Sequence, residues 1–146
     1  MKRFLLIIAT VMALLLSGCQ SNHETDCSAY RDDMAKAQEI AVVSADTAEV
    51  KDTITDTKEI EDFVSALHVD QWELGTLPDK ASEIGAFGLA QQKTIQLGQT
   101  DTDETLYDVA TITLYDGGYI RVEMDGFDMT FAVSKDTAEY LNGYFA

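Results

Sequence analysis

The most constraining feature of this sequence is a set of three strand-like runs at residues 106–115, 119–124 and 127–133. Each run is rich in β-branched and aromatic residues, and Asp-Gly sequences at 116–118 and 125–126 separate them. Such runs between turn residues are typical of β-strands joined by hairpins. Side chains alternate between the faces of a strand, so a one-residue slip would turn every apolar side chain outward. The segment therefore predicts strand register as well as strand number.

The second turn is predicted to be a two-residue loop at 125–126. This loop pairs apolar residues throughout: Met124 with Phe127, Val122 with Met129, and Ile120 with Phe131. An Asp-Gly loop between such strands favours a type I′ turn. Because apolar residues pair with apolar residues on one face, this register is favoured over registers shifted by one residue.

The first turn is predicted to be a three-residue loop at 116–118. It pairs Leu114 with Ile120, Ile112 with Val122, and Ala110 with Met124. A two-residue loop would instead place Arg121 opposite Ile112 and mix the two faces. The expected geometry is a type I turn with Gly118 in the left-handed position of a G1 bulge.

Two helices are predicted outside this meander. Asp56 has the position of an N-cap with Glu59 three residues later, and an apolar stripe follows at 3.6-residue spacing over residues 57–68. The stripe consists of Ile60, Phe63, Val64 and Leu67. Ser134 can cap a closing helix that extends to about residue 145, with a stripe of Ala138, Leu141 and Phe145.

The remaining strand signals lie at residues 40–43, at 69–74 around Trp72, and at 84–97, either as one strand or as two broken near Gly88. With the meander and the helices they predict an α+β fold. The predicted architecture is a mostly antiparallel sheet that ends in the three-strand meander, with two amphipathic helices packed on one face.

The N-terminus carries a targeting signal. Lys2 and Arg3 precede a thirteen-residue apolar run at residues 4–16. This run is shorter than the roughly 20 residues that a membrane-spanning helix needs, but it fits the apolar region of a secretory signal. Leu16-Ser17-Gly18-Cys19 then follows and resembles the lipobox of bacterial lipoproteins.

The resemblance implies that Cys19 receives diacylglycerol on its sulfur and becomes the first residue of the mature protein. The expected organisation is a signal peptide at 1–18, a polar tether at 19–38 and one α+β domain at 39–146. Lipid on Cys19 would hold the domain to the extracytoplasmic face of a bacterial membrane. The alternatives are an ordinary cleaved signal with an incidental cysteine, or an uncleaved anchor.

Charge and cysteine content restrict the partners. The formal net charge is −16, from 10 Lys+Arg and 26 Asp+Glu, which excludes a sequence-independent nucleic-acid binder because such a surface repels phosphate. The chain has two cysteines, so lipidation of Cys19 would leave no internal disulfide. Cys27 is then a reactive or redox cysteine, a link to another chain, or a linker thiol without a role.

The sequence contains no nucleophile, zinc, phosphate or dinucleotide motif of the known catalytic types, so no enzyme activity, cofactor or metal site is predicted. The acidic residues at 101–104 resemble the start of a calcium loop. However, Leu106 stands where glycine is needed and Ile112 where glutamate is needed, so an EF-hand is rejected and only a looser cation site remains open. Of the two histidines, His23 lies in the tether and His68 at a helix end.

One surface is a candidate for a partner. In the predicted register, the outer face of the meander carries Tyr107, Tyr115, Tyr119 and Arg121. Tyrosine and arginine are enriched at protein interfaces. The alternative is that they form stabilising cross-strand pairs.

The domain is also similar to small surface lipoproteins of low-GC Gram-positive bacteria. The residues that carry this likeness are the Ile54-Thr-Asp segment with its helix, the hairpin from Ile112 to Ile120, and the C-terminal Tyr140-Leu and Tyr144-Phe145. The likeness implies a surface location. Three functions are weighed: a domain that binds an envelope protein or peptide, an inhibitor or immunity-type lipoprotein that blocks a basic toxin or hydrolase, and a cryptic envelope hydrolase.

Overall fold

The computed structural model describes residues 27–92 and 105–146. Within these ranges the chain forms three α-helices, seven strands and two single turns of 3₁₀ helix. The helices are α1 (Ser28–Met34), α2 (Thr57–Ala66) and α3 (Lys135–Asn142). The strands are β1 (Glu39–Ser44), β2 (Val50–Ile54), β3 (Glu73–Leu74), β4 (Glu83–Gln92), β5 (Leu106–Tyr115), β6 (Tyr119–Met124) and β7 (Phe127–Ala132). The 3₁₀ turns are Val69–Gln71 and Gly143–Phe145.

All seven strands belong to one antiparallel sheet with the order β2-β1-β4-β5-β6-β7-β3. The helices pack on one face of this sheet, where the apolar side chains of β4, β5 and β6 meet them. The chain therefore has the predicted α+β fold, with a third helix, α1, beside the two that the sequence pattern indicated.

The meander confirms the predicted register. Leu114 lies opposite Ile120 and Ile112 opposite Val122, and Met124 pairs with Phe127 at the second turn. The turn types are predicted less well. At the second turn only Gly126 has a positive φ (+72°), whereas a type I′ turn would need one at Asp125 as well, so that prediction is wrong. The prediction for the first turn is wrong in one respect. Gly118 is left-handed as expected (φ +81°), but Gly117 also has a positive φ of +78°, which excludes a type I turn.

Helix α2 begins and packs as predicted. The Asp56 carboxylate accepts a hydrogen bond from the backbone N–H of Glu59 (3.1 Å), and the whole apolar stripe is buried. Side chains from outside the helix satisfy the carbonyls at its C-terminal end. The Trp72 indole donates to the Leu67 carbonyl (2.8 Å), and the Thr137 hydroxyl donates to that of Ala66 (3.1 Å). Helix ends need such partners because their last carbonyls have none within the helix.

The strand predicted at residues 69–74 is mostly a turn. His68 adopts a left-handed conformation (φ +46°) after α2, and the 3₁₀ turn Val69–Gln71 follows. This turn brings the Trp72 indole within reach of the Leu67 carbonyl, so only Glu73 and Leu74 remain extended. The short-range hydrogen bond overrides the strand propensity of the segment.

The tether predicted at 19–38 includes residues that belong to the folded body. Cys27, Met34 and Ala37 are buried in the core cluster, and α1 lies between them. The sequence signal is faint because α1 has only seven residues and no side-chain cap. The folded body therefore begins no later than Cys27, not at residue 39.

Aromatic rings fill the core between the helices and the sheet. Phe87 of β4 is fully buried, and its ring centroid lies 5.1 Å from that of Phe63, 5.5 Å from that of Tyr144 and 5.3 Å from that of Phe145. Burial and a hydrogen bond with Tyr140 raise the pKa of Tyr144. This cluster joins β4 to both α2 and the C-terminus.

β4 is one strand from Glu83 to Gln92 and continues through Gly88; the predicted extension to 93–97 lies outside the described residues. Its pairing with β5 shifts at two points, between Glu83 and Gly85 and between Leu89 and Ala90; at the second, Leu89 faces Ala110 but Ala90 faces Asp108. Val109 is thus an extra residue in β5. Such a bulge reverses the alternation of side chains beyond it.

Candidate functional site

The predicted partner face is only partly assembled. Tyr115 and Tyr119 are direct cross-strand neighbours, and Arg121 lies on the same face. The Tyr119 ring packs over Gly75, where an added Cβ would lie 3.4 Å from it. Both tyrosines are partly buried. These contacts support the alternative that the pair stabilises the sheet.

The Arg121 guanidinium is engaged within the sheet. Its Nε and Nη2 donate to the two carboxylate oxygens of Asp128, at 2.8 and 2.6 Å. This bidentate contact raises the pKa of Arg121 and lowers that of Asp128. A partner that used Arg121 would have to compete with a pairing that is already formed.

Tyr107 does not belong to this face. The extra residue Val109 turns Tyr107 toward the helix-covered side of the sheet, where it pairs with Gln91. The expectation that Tyr107 joins Tyr115, Tyr119 and Arg121 is therefore wrong, because the prediction assumed a regular strand.

Tyr107 instead lines a cavity of about 630 Å³, which we call the α1 cavity. The cavity lies between α1, the adjoining ends of β4 and β5, and the β6–β7 turn. Its lining residues are Tyr30, Asp33, Lys36, Gln91, Gln92, Tyr107, Asp108, Val109, Met124, Asp125 and Phe127. Its volume falls within the range of about 300–1,000 Å³ that is typical of ligand pockets.

Aromatic and aliphatic side chains form the apolar part of the α1 cavity. The Tyr30 and Phe127 ring centroids are 4.5 Å apart, and Phe127 stacks on the buried Phe131 at 6.2 Å. This stacking connects the cavity wall to the core. Tyr107 is 44% exposed and Met124 is partly buried, so both present surface that a ligand can cover.

The polar part of the α1 cavity is predominantly acidic. Three carboxylates, those of Asp33, Asp108 and Asp125, line it together with one cation, Lys36. The Lys36 ammonium donates to the Asp33 carboxylate at 2.8 Å, and this hydrogen bond raises the pKa of Lys36. Asp33 is therefore neutralised locally, whereas Asp108 and Asp125 give the cavity an excess of negative charge.

A second, smaller depression of about 210 Å³ adjoins the first. The two share Asp108, Val109, Met124 and Asp125, and the second also reaches Thr111 and Glu123. Together they form a continuous surface around the end of the sheet. Sequence reasoning missed this surface because it assigned α1 to the tether, and because a bulge such as that at Val109 has no clear sequence signature.

Other candidate positions fall elsewhere. Cys19 and the acidic residues 101–104 lie outside the described residues, and Cys27 is 6% exposed in the core rather than in a linker. Over residues 27–92 and 105–146, no group of three or more histidine, cysteine or acidic side chains is arranged to hold a metal. No helix in the same ranges has both the length and the apolarity to cross a bilayer.

Comparisons of the chain with protein-family models, with curated proteins and with solved structures give no match.

Proposed function

We propose that this chain is a lipid-anchored, extracytoplasmic domain of a bacterial envelope and that it binds a ligand in the α1 cavity. The α1 cavity is the observation that carries the binding function, because its volume suits a ligand and its walls combine aromatic rings with charged and amide groups. The anchor rests on the lipobox-like Leu16-Ser17-Gly18-Cys19 after a signal-like apolar run.

The side chains that line the α1 cavity can hold a ligand through both polar and apolar contacts. Among the residues described as lining it, none is a histidine, cysteine, serine or threonine. The carboxylates of Asp33, Asp108 and Asp125 can orient a cationic or hydrogen-bonding group. The rings of Tyr30, Tyr107 and Phe127 offer apolar surface to the rest of the ligand.

The position of the α1 cavity suits a protein held at a membrane. Only seven residues separate Cys19 from the buried Cys27. Even when fully extended, that connection reaches at most about 29 Å. α1, which contributes Tyr30 and Asp33 to the cavity, begins directly after Cys27. The proposed binding site therefore belongs to the tethered end of the domain.

An inhibitor or immunity-type lipoprotein is the second candidate function. Removal of Lys2 and Arg3 with the signal would take the formal charge from −16 to −18. With Asp108 and Asp125 at the cavity, this charge favours a basic toxin or hydrolase as the protein to be blocked. Such an association would be steered electrostatically and would weaken as salt is added.

Incorporation of a labelled fatty acid tests the anchor. Cells that express the wild-type chain should label it, and Cys19→Ser should abolish the label because the acceptor sulfur is gone. Cys27→Ala is the matched control: it removes the other thiol and should label like the wild type. Equal labelling of wild type and Cys19→Ser, or no label in the wild type, would exclude the proposed anchor.

A further inference from the structure

We infer that the natural occupant of the α1 cavity is a basic peptide segment that places an arginine or lysine side chain between Asp108 and Asp125. This inference rests on the proposed binding function and adds the chemistry of the ligand. Three features of the described residues support it: charge, aromatic surface and shape.

The surface of the two depressions carries an excess of negative charge, which favours a cationic ligand. Asp33, Asp108 and Asp125 line the α1 cavity, and Glu123 lines the adjoining depression. Lys36 is the one cation among the lining residues of both, and Asp33 already binds it at 2.8 Å. A guanidinium or ammonium group that enters beside Asp108 and Asp125 would supply the missing positive charge and form charge-assisted hydrogen bonds.

The aromatic side chains provide the second feature. The rings of Tyr30 and Phe127, whose centroids lie 4.5 Å apart, and the exposed Tyr107 line the same cavity as the carboxylates. A cation gains additional attraction over the face of an aromatic ring, and arginine stacks there with little loss of hydration. The combination of rings and carboxylates is suited to arginine better than to a metal ion or an anion.

The shape of the surface favours an extended occupant over a small cation. The 210 Å³ depression shares Asp108 and Asp125 with the α1 cavity and continues to Thr111 on the opposite face of the sheet. A small cation would occupy only part of one depression. A peptide in extended conformation can cross the end of the sheet and occupy both.

Lys36 acts as an internal competitor in this arrangement. Its ammonium group holds Asp33 and adds positive charge to the cavity that an incoming cation must enter. Both side chains are at least half exposed, so their ion pair contributes little to stability. Lys36→Gln should therefore strengthen the binding of a basic peptide, about threefold, without unfolding the domain.

The test uses the mature protein in detergent micelles and two synthetic peptides. The probe is acetyl-Ala-Arg-Ala-Arg-Ala-amide, and its matched control has citrulline, the neutral isostere, at both arginine positions. NMR amide shifts are recorded during each titration. The arginine peptide should shift residues of both depressions, such as Gln91, Tyr107, Thr111 and Phe127, in a saturable way. The citrulline peptide should bind at least about tenfold more weakly.

Two charge-matched variants locate the interaction. The double variant Asp108→Asn and Asp125→Asn should weaken the arginine peptide at least about tenfold. The double variant Asp46→Asn and Asp136→Asn changes the net charge equally at exposed positions outside the cavity and should leave affinity within about twofold of the wild type. Equal weakening by both pairs would overturn the assigned site.

The remaining outcomes also decide the inference. Equal affinity for the arginine and citrulline peptides would overturn the inference that the ligand is cationic. The α1 cavity would then bind a ligand of another kind. NMR shift changes confined to residues outside both depressions, or the absence of a saturable change, would overturn the inference. Neither outcome would bear on the proposed lipid anchor at Cys19. Failure of fatty-acid labelling at Cys19 would instead reject the proposed membrane attachment, whatever the peptides do.

Discussion

Phe87→Ala is expected to lower the free energy of unfolding by about 3–5 kcal/mol, the usual cost of removing a fully buried aromatic side chain. Phe87 is fully buried, and its ring contacts those of Phe63, Tyr144 and Phe145. Its loss would leave a cavity where β4, α2 and the C-terminus meet. Urea denaturation of the mature protein in detergent, followed by circular dichroism, measures the effect.

Phe87→Leu is the matched control for this substitution. It keeps the site apolar and most of its volume, so the loss should be clearly smaller than for alanine. If Phe87→Ala and Phe87→Leu both lowered the free energy of unfolding by less than about 1 kcal/mol, the aromatic cluster would not be the centre of the core.

Gly85→Ala is expected to lower the free energy of unfolding by about 1–3 kcal/mol through overpacking. This is the reverse of the usual effect, because alanine in the interior of a strand is normally more stabilising than glycine. A Cβ at this position would overlap the Phe145 ring and lie 2.6 Å from the backbone oxygen of Val43. The ring can move, but the Val43 carbonyl belongs to the neighbouring strand and cannot yield without disturbing the sheet. The same urea titration of the mature protein measures this change.

Gly88→Ala, three residues further along β4, is the control. A Cβ there would meet no atom within 4 Å, so alanine should increase the free energy of unfolding by roughly 0.5–1 kcal/mol. Opposite signs at Gly85 and Gly88 are the expected pattern. The same sign at both positions would contradict the packing of Phe145 against β4.

The parts of the fold that the sequence predicts are those in which local chemistry and burial agree. The hairpins at 116–118 and 125–126 have glycine where the turns require it, and their strands pair apolar residues in one register only. The helix after Asp56 has both a cap and a stripe. Where a side-chain hydrogen bond decides the backbone, as for Trp72 and the Leu67 carbonyl, propensity alone fails.

The candidate site was the least predictable part because it depends on two irregular features. The extra residue Val109 moves Tyr107 from the outer face to the α1 cavity. In the sequence, however, a run that contains a one-residue bulge looks almost the same as a regular strand. α1 contributes Tyr30 and Asp33, yet its seven residues have too little apolar periodicity to predict a packed helix. The site therefore depends on the three-dimensional arrangement of α1 and the β5 bulge, which the sequence pattern does not indicate.

The most direct test of the central claim, lipid attachment at Cys19, is the intact mass of the mature protein isolated from bacterial membranes, with fragmentation of its N-terminal peptide. We expect a chain of residues 19–146 whose first residue, Cys19, carries diacylglycerol on its sulfur. A chain that retains Met1, or one that begins at another residue and bears no lipid on Cys19, would contradict it.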